Sequence, residues 1–332
     1  VPFMKRWIKR IALAMLGIIV PACGWVAYDF LTWRSAGRAL FATNSRAATV
    51  VTTARGPVEY AEVGSGRPVL QIHGSPGGFD NFYAMHRIHS GADGPPFRAI
   101  LPSRPGYLRT PLTTGKTHAD QADAMAALLD VIGVRRVAVI GVSDGGPSAL
   151  QFAVRHPDRC SALILVSGVV HKIPDGDVMP PVMKLVYTVM PKDFLTWFFS
   201  KLMSGGVRKE VSGDPVAVAM AEVLMTSMVP FAPREEGTWN DVANDKQIRE
   251  WPLQDIRCPT LVIHGTADTS VPISHGDSAA AQIPGAKFVR LQGADHLAFI
   301  TRRKVVDAAI AAFLAEHPDS GWTPTAAAAK RD

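Results

Sequence analysis

The chain has 332 residues, 47% hydrophobic content and a formal net charge of +6, which suits one large core with an inserted subdomain. Lys5, Arg6, Lys9 and Arg10 carry most of the excess charge, and no basic stripe interleaved with aromatics follows them, which argues against a nucleic-acid partner. Three scattered cysteines (Cys23, Cys160, Cys258) make no disulfide framework, and without H-E-x-x-H, C-x-x-C or a dense carboxylate cluster neither a metal nor a cofactor is expected.

In chain order, the first element is Ile11 to Tyr28, 18 residues without a charge, flanked by four cations and by Trp25, Tyr28, Phe30 and Trp33. At about 1.5 Å per residue a helix of that length covers roughly 27 Å, close to a bilayer's hydrocarbon core. Pro21 and Gly24 weaken such a helix but are tolerated in membranes. The preceding cations put the N-terminus in the cytoplasm and the remainder on the extracytoplasmic, periplasmic side. The expectation is a single-pass anchor over 1–33, with a cleaved signal ending near Ala22 and Cys23, or a buried or peripheral helix, as the competing readings. Residues 34–48 read as a polar linker.

Val50 to Thr53 and Val58 to Val63 alternate in polarity around Arg55-Gly-Pro57, as an antiparallel edge hairpin does. Six short apolar runs follow, at 69–72, 99–101, 137–140, 163–166, 260–263 and 288–291. Helical patterns separate them at Thr117–Ile132, Gly145–Arg155, Ser274–Gln282 and Arg303–Glu316. Runs apolar on both faces with helices between them predict a buried, mostly parallel sheet. The hairpin and the six runs make eight strands.

Between Gly168 and Pro252 the strand rhythm stops. That stretch holds Met179, Met183, Met190, Met203, Met220, Met225 and Met228, with Phe194, Trp197, Phe198, Phe199, Phe231 and Trp239. It reads as a helical lid over 169–252, its methionines and aromatics packing the lid's own helices and offering an adaptable apolar roof. Arg234 to Asp241 is a polar segment suited to fastening the lid. The core is thus expected in two parts, 49–168 and 253–317, with 318–332 a disordered tail.

Gly141-Val-Ser-Asp-Gly-Gly146 lies between an apolar run and a helical stretch. A serine on a sharp strand-to-helix turn needs small neighbours, and the turn lifts its hydroxyl out of the sheet. Such a hydroxyl is a weak nucleophile that needs a base, and the base needs an orienting acid. Asp268 and His296 each follow a strand and share the carboxyl-end rim with Ser143, where open α/β sheets keep their chemistry. Asp295 is the weaker candidate for the acid, because a residue adjacent to the base seldom reaches its far nitrogen. Pro76 lacks an N–H, so the amides of Ser75 and Asp144 are expected to form the oxyanion hole. His73 and His264, before glycines at strand ends, are expected to brace loops.

His73-Gly-Ser-Pro-Gly-Gly78, Ser103-Arg-Pro-Gly-Tyr107, Gly141-Val-Ser-Asp-Gly-Gly146, His264-Gly-Thr-Ala-Asp268 and Asp295-His296 occur in an order that resembles the α/β-hydrolase-fold serine hydrolases, from about Thr49 to Leu314. The resemblance implies the α/β-hydrolase fold, Ser143 as nucleophile, Asp268 as orienting acid and His296 as general base. Ser103-Arg-Pro-Gly-Tyr107 departs from the Asp-x-Arg-Gly-x-Gly often found there. The implied activity is hydrolysis of a carboxylic ester on a small, apolar acyl substrate. A proline-iminopeptidase-like activity is the nearest alternative and would want a lid acid for a free ammonium, with Glu222, Glu235 and Glu236 as candidates. Carbon–carbon hydrolysis, perhydrolysis and a non-enzymatic ligand sensor are the others.

Overall fold

The computed structural model describes residues 2–91, 95–172, 189–211 and 213–318. The expected strands form one eight-stranded sheet in the order β1-β2-β4-β3-β5-β6-β7-β8. These are β1 (Thr49–Thr53), β2 (Gly56–Val63), β3 (Pro68–Ile72), β4 (Arg98–Pro102), β5 (Val137–Val142), β6 (Cys160–Val166), β7 (Thr260–Gly265) and β8 (Lys287–Leu291). The β1–β2 and β2–β4 pairs are antiparallel and the rest parallel.

Alternate residues of the strands feed two separate cores, as the two-residue period of a strand requires. Val69, Ala138, Ile140, Ile164 and Ile263 pack with Phe79, Phe82 and Phe313; these come from α2 (Phe79–Ser90) and a C-terminal helix (Arg303–Glu316). Leu70, Ile72, Val139, Leu163 and Val262 face the opposite way. Their partners lie on α3 (His118–Val131), α4 (Gly146–Arg155) and the later helix Ser274–Gln282. Thr117 caps α3 through a reciprocal bond pair with Asp120. Cys160 and Cys258 are buried, with sulfurs 3.5 Å apart.

Between β6 and β7 lie α5 (Lys192–Val211), α6 (Pro215–Ser227) and α7 (Glu235–Asp245). Met220 and Leu224 of α6 are buried in the first core, with Met225 and Met228 packed against it. Met179 and Met183 lie outside the described residues, as does the tail beyond residue 318.

One expectation is corrected. Residues 34–44 are not a linker but the last turns of α1, which runs unbroken from Pro2 to Asn44 through Pro21. The reason is tertiary: Arg34 pairs with Asp193 at 2.9 Å, and Phe41 lies under the Arg234 guanidinium. Gly37 sits against Thr226 O, where a Cβ would come within 2.8 Å. Contacts of this kind supply the stability that a polar helix lacks in isolation.

Candidate active site

β5 is buried along its whole length and delivers Ser143 to a turn (Ser143–Gly145) that leads into α4. Ser143 has φ +52°, a left-handed conformation that costs an L-residue roughly 1–2 kcal/mol. The neighbouring glycines are enforced by contact. A Cβ on Gly141 would meet Ala149 Cβ at 2.6 Å, and one on Gly145 would meet Ile72 O at 2.3 Å. The β3 loop closes on the same point: a Cβ on Gly74 would sit 2.8 Å from Ser143 Cβ.

Two further loops meet the serine. Asp268 follows β7, and its Oδ1 accepts from the amides of Ser270 and Val271 at 2.9 and 2.8 Å. Its Oδ2 lies 2.8 Å from His296 Nδ1, and His296 Nε2 lies 3.0 Å from Ser143 Oγ. A carboxylate facing Nδ1 places the ring proton there, leaving Nε2 to accept from the hydroxyl. The Asp268 and His296 loops are laced together by Ala267 N to Ala294 O (3.0 Å) and Gly293 N to Thr266 Oγ1 (2.9 Å). Burial alone would raise the Asp268 carboxyl, but hydrogen bonds from His264 and His296 and from the Val271 amide hold it well below the usual range.

The other candidates separate cleanly. Asp295 accepts from the Leu297 amide at 3.0 Å. His264 donates to Val271 O at 2.8 Å, with Nε2 3.4 Å from Asp268 Oδ2. His73 Nε2 accepts from Arg104 N at 3.0 Å, so Nδ1 donates to Gly74 O at 2.7 Å. Both histidines brace loops. Ser75 follows Gly74, with its side chain toward Tyr107 at 2.8 Å. The Asp144 amide opens a helical turn, where backbone N–H groups lack intrahelical partners.

Sequence reasoning missed the polar wall beside the elbow. Asp241 of α7 accepts from Arg104 Nη1 and Nη2 at 2.8 and 2.6 Å and from Tyr107 OH at 2.5 Å, all buried. Tyr107 thus donates to Asp241 and accepts from Ser75. Glu222 and Glu236 are exposed and Glu235 half-buried; the acids of the inserted segment among the polar groups beside Asp144 are Asp241 and Asp245. Burial, then Asp245 and Asp241, push the Asp144 carboxyl well up. Burial, then Asp241, raise Asp245 to about 7. His118 Nε2 lies 3.2 Å from Asp245 Oδ1, and burial lowers that imidazole to about 4.

Residues 69–309 match the alpha/beta hydrolase family. The chain belongs to that family. Its relatives include an uncharacterized hydrolase, YcgS, of Bacillus subtilis (29% identical, 77% of this chain and 93% of that protein). Another is a 2-hydroxy-6-oxononadienedioate/2-hydroxy-6-oxononatrienedioate hydrolase of Paraburkholderia phymatum (30% identical, covering 70% and 81%). Among solved structures, an alpha/beta hydrolase fold protein from Nakamurella multipartita is 34% identical with a TM-score of 0.62 (82% and 95% covered). A thermophilic esterase from Thermogutta terrifontis is 25% identical with a TM-score of 0.63 (82% and 99% covered). In this alpha/beta hydrolase, α1 is the described helix long and apolar enough to cross a membrane.

Proposed function

We propose that this alpha/beta hydrolase is a membrane-anchored carboxylic-ester hydrolase working through an acyl-enzyme. The single observation that carries the reading is the hydrogen-bonded chain Asp268–His296–Ser143, at 2.8 and 3.0 Å, on a serine held at φ +52°. His296 Nε2 takes the Ser143 proton as Oγ attacks the acyl carbon. The oxygen that becomes negative rests on the Ser75 and Asp144 amides, where each donor is worth roughly 3–4 kcal/mol. His296 then passes the proton to the leaving alcohol, and water, deprotonated by the same imidazole, releases the acid from Ser143.

The electrostatics beside the elbow favour an uncharged acyl substrate over the dicarboxylates named for some relatives. Asp144 and Asp245 are held toward the neutral acid, and both terminal nitrogens of Arg104 are engaged by Asp241, so that guanidinium is not available to hold a substrate carboxylate. α1 supplies the anchor: Leu13, Met15, Leu16, Ile18 and Val20 are all more than half exposed, as lipid-facing side chains would be. The catalytic domain then lies on the extracytoplasmic side.

The test compares the full chain in detergent with Ser143→Ala on short aryl esters and on a 2-hydroxy-6-oxo-dienoic acid. Ester turnover that disappears in the variant, with little turnover of the dienoic acid, is the expected result. Undiminished ester hydrolysis by Ser143→Ala would refute the assignment.

A further inference from the structure

Helix α1 continues past its apolar stretch onto the lid, and the contacts fix which lid surface lies beside it. Asp193 on the first turn of α5 accepts from Arg34 Nε at 2.9 Å and lies 3.7 Å from Arg38. Farther along α5, Trp197 Nε1 donates to Asp29 Oδ2 at 2.9 Å, and Lys201 Nζ reaches the same oxygen at 2.7 Å. Phe30 packs edge-on against Phe194 and Trp197, with ring centres 5.3 and 5.9 Å apart. Rising numbers on α5 therefore meet falling numbers on α1. The helices run antiparallel, and Lys201 stands level with Asp29.

This alignment gives meaning to the exposed flank of α5. Phe198, Phe199 and Leu202 are 45%, 40% and 63% exposed and fall within about a third of the helix circumference. The two phenylalanine rings are 5.8 Å apart. They stand level with Tyr28 and Leu31 of α1, which are also exposed. Exposed apolar side chains thus stand at the same level on both helices, beside the Arg34–Asp193 and Lys201–Asp29 ion pairs. Aromatic and leucine side chains with an ion-paired polar margin suit the boundary of headgroups and acyl chains, which takes an amphipathic surface to a depth of about 5–10 Å.

We propose that the Phe198–Phe199–Leu202 flank of α5 is seated in the lipid surface of the membrane that α1 crosses, making the lid a membrane-contacting element. The proposal rests on the reading of α1 as an anchor. Continuity with α1 is what selects a bilayer as the occupant.

The test uses the full chain with Cys23→Ser, since Cys160 and Cys258 are buried. A bimane label is attached singly through Leu16→Cys, Phe198→Cys, Leu202→Cys or Val131→Cys. Val131 is exposed at the end of α3, on the opposite face of the sheet. The protein is reconstituted in phosphatidylcholine vesicles containing lipid brominated in the upper acyl chain. The expected result is strong quenching at 16, and quenching at 198 and 202 several-fold above that at 131. Quenching at 16 with 198 and 202 no different from 131 overturns the lid seat and leaves the anchor standing. No quenching at 16 removes the anchor and the seat together. Shielding of 198 and 202 from aqueous iodide without quenching by brominated lipid assigns the flank to a protein surface, such as a second copy, and also overturns the proposal.

Discussion

The Ser143–His296–Asp268 rim and the fastening of the inserted helices are both polar clusters built from residues far apart in the chain, yet they are held by different means. At the rim, backbone does the positioning. β5, β7 and β8 end along one edge of the sheet, with β6 between β5 and β7, close-packed glycines shape the elbow, and main-chain bonds tie the Asp268 and His296 loops together. The inserted helices are fastened by buried side chains, beside two main-chain bonds, Leu108 N to Pro233 O (2.7 Å) and Gly237 N to Gly106 O (2.9 Å). Arg104 meets Asp241 across 137 residues, and Arg234 meets Asp80 across 154, at 3.0 and 2.6 Å with both partners fully buried. Arg234 also donates to Gly77 O and Ser227 O. A rim built on backbone tolerates changes around it, whereas a fastening built on buried charge fails when one partner goes.

The largest effect expected from breaking that contrast is chemical. Asp268→Asn reverses the donor on His296 Nδ1 while leaving the sheet edge intact. It should lower kcat by about 10⁴-fold, as read by steady-state ester kinetics, and the loss of a carboxylate held ionised by its hydrogen bonds should also lower the melting temperature. Arg104→Ala should do the opposite kind of damage. It strands Asp241 in a buried site and should destabilise by about 3–5 kcal/mol, measured by urea unfolding. Replacing both members, Arg104→Met with Asp241→Leu, should recover most of that loss, because no uncompensated charge remains.

The strain at the elbow gives a smaller, signed effect. Glycine accepts φ +52° and alanine does not, so Ser143→Gly should be more stable than Ser143→Ala by about 1–2 kcal/mol, both being inactive. Equal stabilities would mean that the turn relaxes without its serine. The smallest effect concerns Asp245, whose carboxyl titrates near 7 when folded and near 4 when unfolded. The folded state binds the extra proton between those values, so this group's contribution to stability is complete below about pH 4 and is lost as pH rises through about 7. Asp245→Asn should flatten that part of a plot of melting temperature against pH.

What could be read from the sequence follows the same division. The strands, most helices and the parallel sheet were legible because a residue's periodicity and its immediate neighbours decide them. Ser274–Gln282 and Arg303–Glu316 lie where their apolar patterns put them. The elbow was legible because only small residues fit around Ser143. The fastening was not, because nothing local says that Arg104 seeks Asp241 rather than another acid. The Tyr107–Ser75 contact was hidden for the same reason, and the polarity of Arg234 to Asp241 was the only signal available. The helical end of α1 is not legible in the sequence because its partners Asp193, Arg234 and Thr226 all lie on the inserted segment.

The central claim is that Ser143 is the nucleophile, activated by His296. Treating the full-length protein with a fluorophosphonate and mapping the adduct by peptide mass spectrometry tests it most directly. The account predicts one modified residue, Ser143, with labelling abolished in His296→Ala. An adduct on any other side chain, or none on the folded protein, would contradict it.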